Sequence, residues 1–187
     1  NSFEIGADWQ AAPNWTLRAT AFNTEVKDLI TYRLLSTVGT RRTYLYDNVD
    51  AARIRGLELG AVWQATPQWA WSNDLTLLNT RDKTTGQQLN DRPRVAWNST
   101  LVWQVQQWRT QLGAETTGKQ QSASGKLPAY TLWNASVGRA WKLGGERQLH
   151  LSTGIQNLGN VRMQEESPNF GWAEQGRRFF VNARMDF

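Results

Sequence analysis

The sequence predicts an all-β chain that forms part of an antiparallel, up-and-down transmembrane β-barrel. Three observations predict it: apolar and polar side chains alternate with period two along the whole length, short connections alternate with long ones, and tryptophans gather beside the short turns. No apolar run approaches the roughly 18 residues of a membrane helix. Mean hydropathy is low, as it must be if every second residue faces a watery lumen.

The alternation places strands at about 2–10, 15–32, 43–63, 69–80, 93–104, 108–117, 128–141, 149–157 and 176–187. Several exceed the roughly 9 to 11 residues that cross a membrane, as strands of large barrels do when they continue into solvent. Short turns are expected at Ala11 to Asn14, Gln64 to Gln68, Val105 to Gln107 and Lys142 to Gln148, with long polar loops near 33–42, 81–92, 118–127 and 158–175. An outer-membrane barrel has this asymmetry, with tight turns on the periplasmic side and long loops outside. A soluble sandwich has no reason to sort its loops by length.

Aromatic residues sort the same way. Trp9, Trp15, Trp63, Trp69, Trp71, Trp103, Trp108 and Trp141 lie within a few residues of a short turn, and Tyr32, Tyr44, Tyr46 and Tyr130 lie toward the long loops. Amphipathic rings favour the membrane interface, so the eight tryptophans are expected to form a belt there. In the fifth strand Val95, Trp97, Ser99, Leu101 and Trp103 share the face expected to meet lipid. In the last, Phe179, Val181, Ala183, Met185 and Phe187 alternate with Arg178, Phe180, Asn182, Arg184 and Asp186. Arginine facing lipid at mid-membrane would cost about 2 to 4 kcal/mol, so Arg184 and Asp186 are assigned to the lumen. Tyr44 and Tyr46 are out of phase with Leu57, Leu59 and Trp63, and a bulge near Asp50 to Arg53 is expected to reset the phase.

Composition removes other classes. The 187 residues carry a net charge of +5, but the Lys and Arg are scattered between turn-rich segments without a recognition helix, so nucleic-acid binding is not expected. There is no Cys and a single His, His150, with no carboxylate or serine cluster placed beside it. Neither an enzyme nor a metal site is expected.

Four stretches carry a family resemblance: Asn48-Val49-Asp50-Ala51-Ala52-Arg53-Ile54-Arg55-Gly56-Leu57-Glu58-Leu59 with the preceding Phe22 to Ile30; Thr85 to Pro93 followed by Trp97 to Trp103; Gly154-Ile155-Gln156-Asn157-Leu158; and Gly176-Arg177-Arg178-Phe179-Phe180 to Phe187. In order and spacing they resemble the C-terminal part of TonB-dependent outer-membrane receptors, in the ferric-siderophore and colicin receptor branch. Gly159 and Met163 depart from the Phe and Tyr the family often has after the Asn-Leu pair. The resemblance implies a barrel of about 22 strands with a plug inside, of which this chain supplies the last nine. Nine strands cannot close antiparallel on themselves, and open edges in lipid leave unpaired backbone groups. The plug and earlier strands are therefore expected in an upstream portion, with the C-terminus in the periplasm of a Gram-negative cell.

The resemblance further implies active import of a ferric siderophore, of the catecholate type by the Thr85 to Pro93 stretch. Energy would come from the TonB complex acting through the plug, and no resident cofactor is implied. Outer-membrane lipid, lipopolysaccharide, the barrel-assembly machinery and the rest of the barrel are the other partners implied. Residues that would meet an anionic chelate are the loop cations Arg41, Arg42, Arg81, Lys83, Arg92, Lys119 and Lys126, with Arg33 in the first loop, and the aromatic residues Phe170 and Trp172. Phe179, Val181, Met185 and the terminal Phe187 fit the family's assembly signal. The alternatives are a passive porin-type barrel, a soluble β-protein, and import of haem, cobalamin or another substrate.

Overall fold

The computed structural model describes residues 1–170 and 176–187, with the side chains of all of these but residues 28, 29, 31–33 and 47–50. The chain runs β1 (Ser2–Ala12), β2 (Trp15–Val38), β3 (Arg41–Thr66), β4 (Trp69–Asp82), β5 (Val95–Val105), β6 (Trp108–Thr117), β7 (Gln120–Ser122), β8 (Gly125–Leu127), β9 (Tyr130–Gly144), β10 (Arg147–Gln156), α1 (Met163–Glu166) and β11 (Arg178–Asp186). All strands but β7 and β8 form one antiparallel sheet in which each pairs with its predecessor. β1 and β11 are its two edges and do not pair with each other.

Residues 13–14, 67–68, 106–107 and 145–146 make two-residue turns, all at one end of the sheet. At the other end, long connections join β4 to β5, β6 to β9 and β10 to β11. The loop expected at 33–42 is strand instead. β2 and β3 continue pairing out to Val38 and Arg41, and only Gly39 and Thr40 turn. Thr37, Val38, Thr43 and Tyr44 favour extended chain, and Gly39 supplies the left-handed φ of +61° that the tight turn needs.

The bulge expected at Asp50 to Arg53 does not occur. β2 and β3 keep one register from Trp15 opposite Trp63 to Leu34 opposite Tyr44, slipping only between Leu34 and Ser36. Tyr44 and Tyr46 therefore sit on the opposite face from Leu57, Leu59 and Trp63. No phase reset is needed, because the apolar band ends at Leu57 and the same face continues with Arg55 and Arg53. Beyond that level polar side chains occupy both faces, as expected of strands that continue past the hydrocarbon of a membrane.

Register carries one face across the sheet. Ala19 stands opposite Leu59, Leu59 opposite Leu75, Leu75 opposite Trp97, and Trp97 opposite Thr116. All ten tryptophans among the described residues fall on this face. Among the described residues no second layer covers it: Leu101 is 37% exposed and Leu112 41%, although both lie on interior strands. On β5 the band spans Val95 to Trp103, close to the roughly 9 to 11 residues that cross hydrocarbon, and on β3 the shorter stretch from Leu57 to Trp63.

The opposite face is mostly polar or small, with Phe22, Leu78 and Phe180 as large apolar exceptions. Arg18 of β2 reaches over Gly60 of β3 to Asp74 of β4, with Nη2 3.1 Å from Oδ1. Gly56 has a comparable role: a Cβ there would lie 2.6 Å from Cζ of Phe22, so glycine lets that ring lie flat on the strand. Among the described residues the cluster of buried hydrophobic side chains lies at the loop end, where Leu127, Met163 and Phe170 pack together against Tyr130, Leu132 and Val161, while in the wall the small Ala114 is buried.

Candidate functional site

At the loop end the connections fold toward the polar face. Tyr130 and Leu132 point from that face into the loop cluster, where Phe170 meets Tyr130 edge-on with ring centroids 6.2 Å apart. Asn157 starts the last connection with φ +52° and closes it on itself: its side chain donates to Val161 O and accepts from Val161 N, both at 2.8 Å. Arg177 fastens the far end by donating to Leu158 O at 2.6 and 3.0 Å. The backbone N–H of Asp91 donates to Gln121 O, joining the β4–β5 connection to the β7–β8 hairpin.

Between these connections lies an open cavity of about 610 Å³, lined by Arg94, Lys119, Lys126, Gln88, Gln121 and Glu166 among others. Three cations face one carboxylate. Arg94 also borders a second hollow of about 590 Å³ beside Phe22 and Leu78, and donates from Nε to Gln88 Oε1 at 3.1 Å. An anionic ligand entering here would meet guanidinium and ammonium donors beside amide groups, which is the chemistry of charge-assisted recognition.

The expected ligand residues separate into three groups. Lys119 and Lys126 line the cavity. Arg42 is engaged elsewhere, donating from Nη1 to Ser124 Oγ at 3.0 Å and from Nη2 to Pro168 O at 2.8 Å, so it ties the β2–β3 ribbon to two other connections. Arg41, its neighbour on the strand, is exposed at the tip of the ribbon, and Arg92 is exposed and bonds to the carbonyl of Asp91. Arg81 and Lys83 lie at the outer surface of the sheet, on the side of the apolar face. Arg81 pairs with Arg53, and Lys83 Nζ sits 2.8 Å from Glu25 Oε1. Lys83 first, then Arg53, hold the Glu25 carboxyl below its ordinary range. Phe170 is buried in the loop cluster and is not free to stack on a ligand. Trp172 and the first-loop Arg33 side chain lie outside the described residues.

The eight tryptophans near the short turns all share the apolar face. Trp15 stacks on Trp63 at 5.4 Å, and Trp69 lies 6.2 Å from Trp103. Phe179, Val181 and Met185 continue that face along β11, which Phe187 follows. Asp82, five residues above Leu77 at the band's edge, holds its turn through Thr84 and Thr85. Burial raises its pKa, but the hydrogen bonds from Thr85 and Thr84 outweigh burial and the net shift is downward.

Arg94 is the cavity residue that sequence reasoning missed. Its signal was parity: it lies two residues before Ala96, in phase with Asn98 and Thr100, and so belongs to the polar face. Among the described residues no group of three or more His, Cys, Asp or Glu is placed to hold a metal.

Residues 1–158 match the family described as TonB dependent receptor-like, beta-barrel. The chain is 27% identical over 206 residues to the ferric enterobactin receptor PirA of Pseudomonas aeruginosa, covering 98% of this chain and 27% of that protein. It is 33% identical over 127 residues to the ferrienterobactin receptor of Escherichia coli, covering 63% of this chain and 16% of that one. It thus spans about a quarter or less of the length of these curated relatives. Among solved structures it is similar to the copper transporter OprC, with TM-score 0.78 and 18% identity, and to the ferric enterobactin receptor PfeA of Pseudomonas aeruginosa, with TM-score 0.75 and 23% identity. These cover 97% and 98% of this chain and 30% of each of those. At such identities the structural likeness concerns the fold.

Proposed function

Since the chain belongs to the TonB-dependent receptor family, whose members are receptors and not catalysts, we propose that it forms the last nine strands of an outer-membrane importer of a ferric siderophore. Its apolar face meets lipid, its polar face lines the lumen around a plug, and its two-residue turns and C-terminus face the periplasm. The remaining strands, the plug and the TonB complex complete the machine. The aromatic face near the short turns serves as the interfacial belt, and Phe179, Val181, Met185 and Phe187 serve as the assembly signal.

The observation that carries the cargo reading is the cavity, where Arg94, Lys119 and Lys126 face one acid at the mouth of the lumen. A ferric tris-catecholate is a large anion, and its oxygens can accept charge-assisted hydrogen bonds from these cations, the stronger kind of hydrogen bond. Arg81 and Lys83 are reassigned to the membrane surface, beside the anionic headgroups of lipopolysaccharide, because they lie on the apolar side of the sheet.

The test is uptake of a radiolabelled ferric tris-catecholate by cells whose intact receptor carries Arg94→Ala, Lys119→Ala and Lys126→Ala together. Loss of at least tenfold in affinity at low salt is expected, which is about 1.4 kcal/mol. Unchanged affinity would remove the cavity from the ligand path. Uptake that persists without the TonB complex would replace active import by a passive pore.

A further inference from the structure

Arg139 interrupts the apolar face near the short-turn end. It stands opposite Trp108 on β6 and Leu151 on β10, in phase with Val137 and Trp141. Its guanidinium carbon lies over two indoles, 5.1 Å from the ring centroid of Trp108 and 5.2 Å from that of Trp141. Arg139 Nε is closed off from solvent and hydrogen-bonds to nothing. Among the described residues no carboxylate pairs with it.

Beside it a groove of about 270 Å³ runs over Leu151 and Thr153 to Val181, bounded by Val137 and the two indoles. The groove is almost wholly apolar, and the cation stands at the end nearest the short turns. Two rings lie beside the guanidinium and Nε is sealed, so a partner approaches by the edge carrying the Nη groups. A planar fork presented edge-on suits the two oxygens of a phosphodiester. An arginine on a lipid-facing surface is tolerated at the interface and strongly disfavoured at mid-membrane, so its level coincides with the headgroups.

We propose that Arg139, Trp108 and Trp141 form a binding site for one phospholipid of the periplasmic leaflet. The headgroup phosphate sits on the Arg139 fork and an acyl chain lies in the groove toward Val181. The inference rests on the reading of this face as lipid-facing, and adds to it a specific lipid position. The indoles beside the cation keep part of it from water, which strengthens its attraction for an anion.

The test is native mass spectrometry of the intact receptor in detergent micelles, titrated with dioleoylphosphatidylglycerol or with dioleoylglycerol, which has the same chains and no phosphate. One phosphatidylglycerol per barrel is expected to bind at least tenfold more tightly than dioleoylglycerol. Arg139→Gln should lower that preference at least fivefold, and Arg139→Lys should restore part of it. Equal retention of the two lipids by the unsubstituted receptor would overturn the site, with no variant needed. So would an undiminished preference in Arg139→Gln. A receptor that fails to partition into micelles or bilayers would overturn the lipid-facing reading itself, whereas a membrane-embedded receptor without phosphate preference would overturn only the site.

Discussion

The two ends of this sheet are held by different forces. Toward the short turns, two-residue connections and backbone ladders fix the strands, and the large side chains point away from the sheet. Trp108, on an interior strand, stays 41% exposed. Toward the loops, the chain builds a small core of its own around Leu127, Met163 and Phe170 and braces it with side-chain hydrogen bonds from Arg42, Asn157 and Arg177. The difference teaches where each end finds its apolar solvent. On the proposed reading the wall borrows it from the surrounding hydrocarbon, while the loops, standing in water, bury their own.

The largest expected effect separates the ends directly. Phe170→Ala empties the loop cluster and should cost it about 3 to 5 kcal/mol. Hydrogen exchange should rise across residues 120–127 and 158–170 and stay unchanged in β4 to β6. Loss of protection in the wall as well would mean that the two ends are one cooperative unit. Next, Leu75→Arg places a charge near the middle of the apolar band and should destabilise the folded barrel by about 2 to 4 kcal/mol in lipid, measured by denaturant titration in vesicles. Thr76→Arg, one residue on and facing the lumen, should change stability by less than about 0.5 kcal/mol. Equal costs would abolish the distinction between the faces.

Smaller effects sharpen the loop end. Arg42→Ala removes two hydrogen bonds from a charged donor and should cost about 1 to 2 kcal/mol of local loop stability, visible as faster exchange around Ser124 and Asn169. The smallest effect is a pH dependence at Asp82. Because its folded pKa is depressed, its turn is fully stabilised above the ordinary carboxylate pKa and loses that stabilisation as pH falls through the lowered folded value. Exchange at Thr84 and Thr85, corrected for intrinsic rate, should rise only at that acid end. A rise between pH 7 and pH 5 would contradict the assignment.

The wall was legible in the sequence because one rule generates it. Alternation in β5 and β11 assigns each side chain to a face, and Pro13, Pro67 and the glycines of residues 144–145 mark turns by backbone chemistry alone. Above the membrane that rule lapses. The Arg, Ser, Thr and Gly among residues 33–42 suggest a loop, although Thr37, Val38 and Tyr44 carry strand preference; the bulge expected at Asp50 to Arg53 comes from extending alternation past the end of the apolar band. The site suffered for the same reason. Cations were grouped by the loop that holds them, whereas which face they occupy sends Lys119 and Lys126 to the cavity, Lys83 to Glu25 at the outer surface, and Arg42 into a brace. Parity alone would have added Arg94.

The central claim is that one face of the sheet meets hydrocarbon and the other water. This chain has no cysteine of its own, so single cysteines at Leu101, Leu112 and Val137, and at their neighbours Thr100, Gln111 and Ser136, can carry spin labels in the intact receptor in vesicles. Labels at the first three are expected to collide preferentially with dissolved oxygen, which concentrates in lipid, and labels at the second three with a water-soluble nickel chelate. The same collision ratio at all six positions, or the reverse order, would contradict the account.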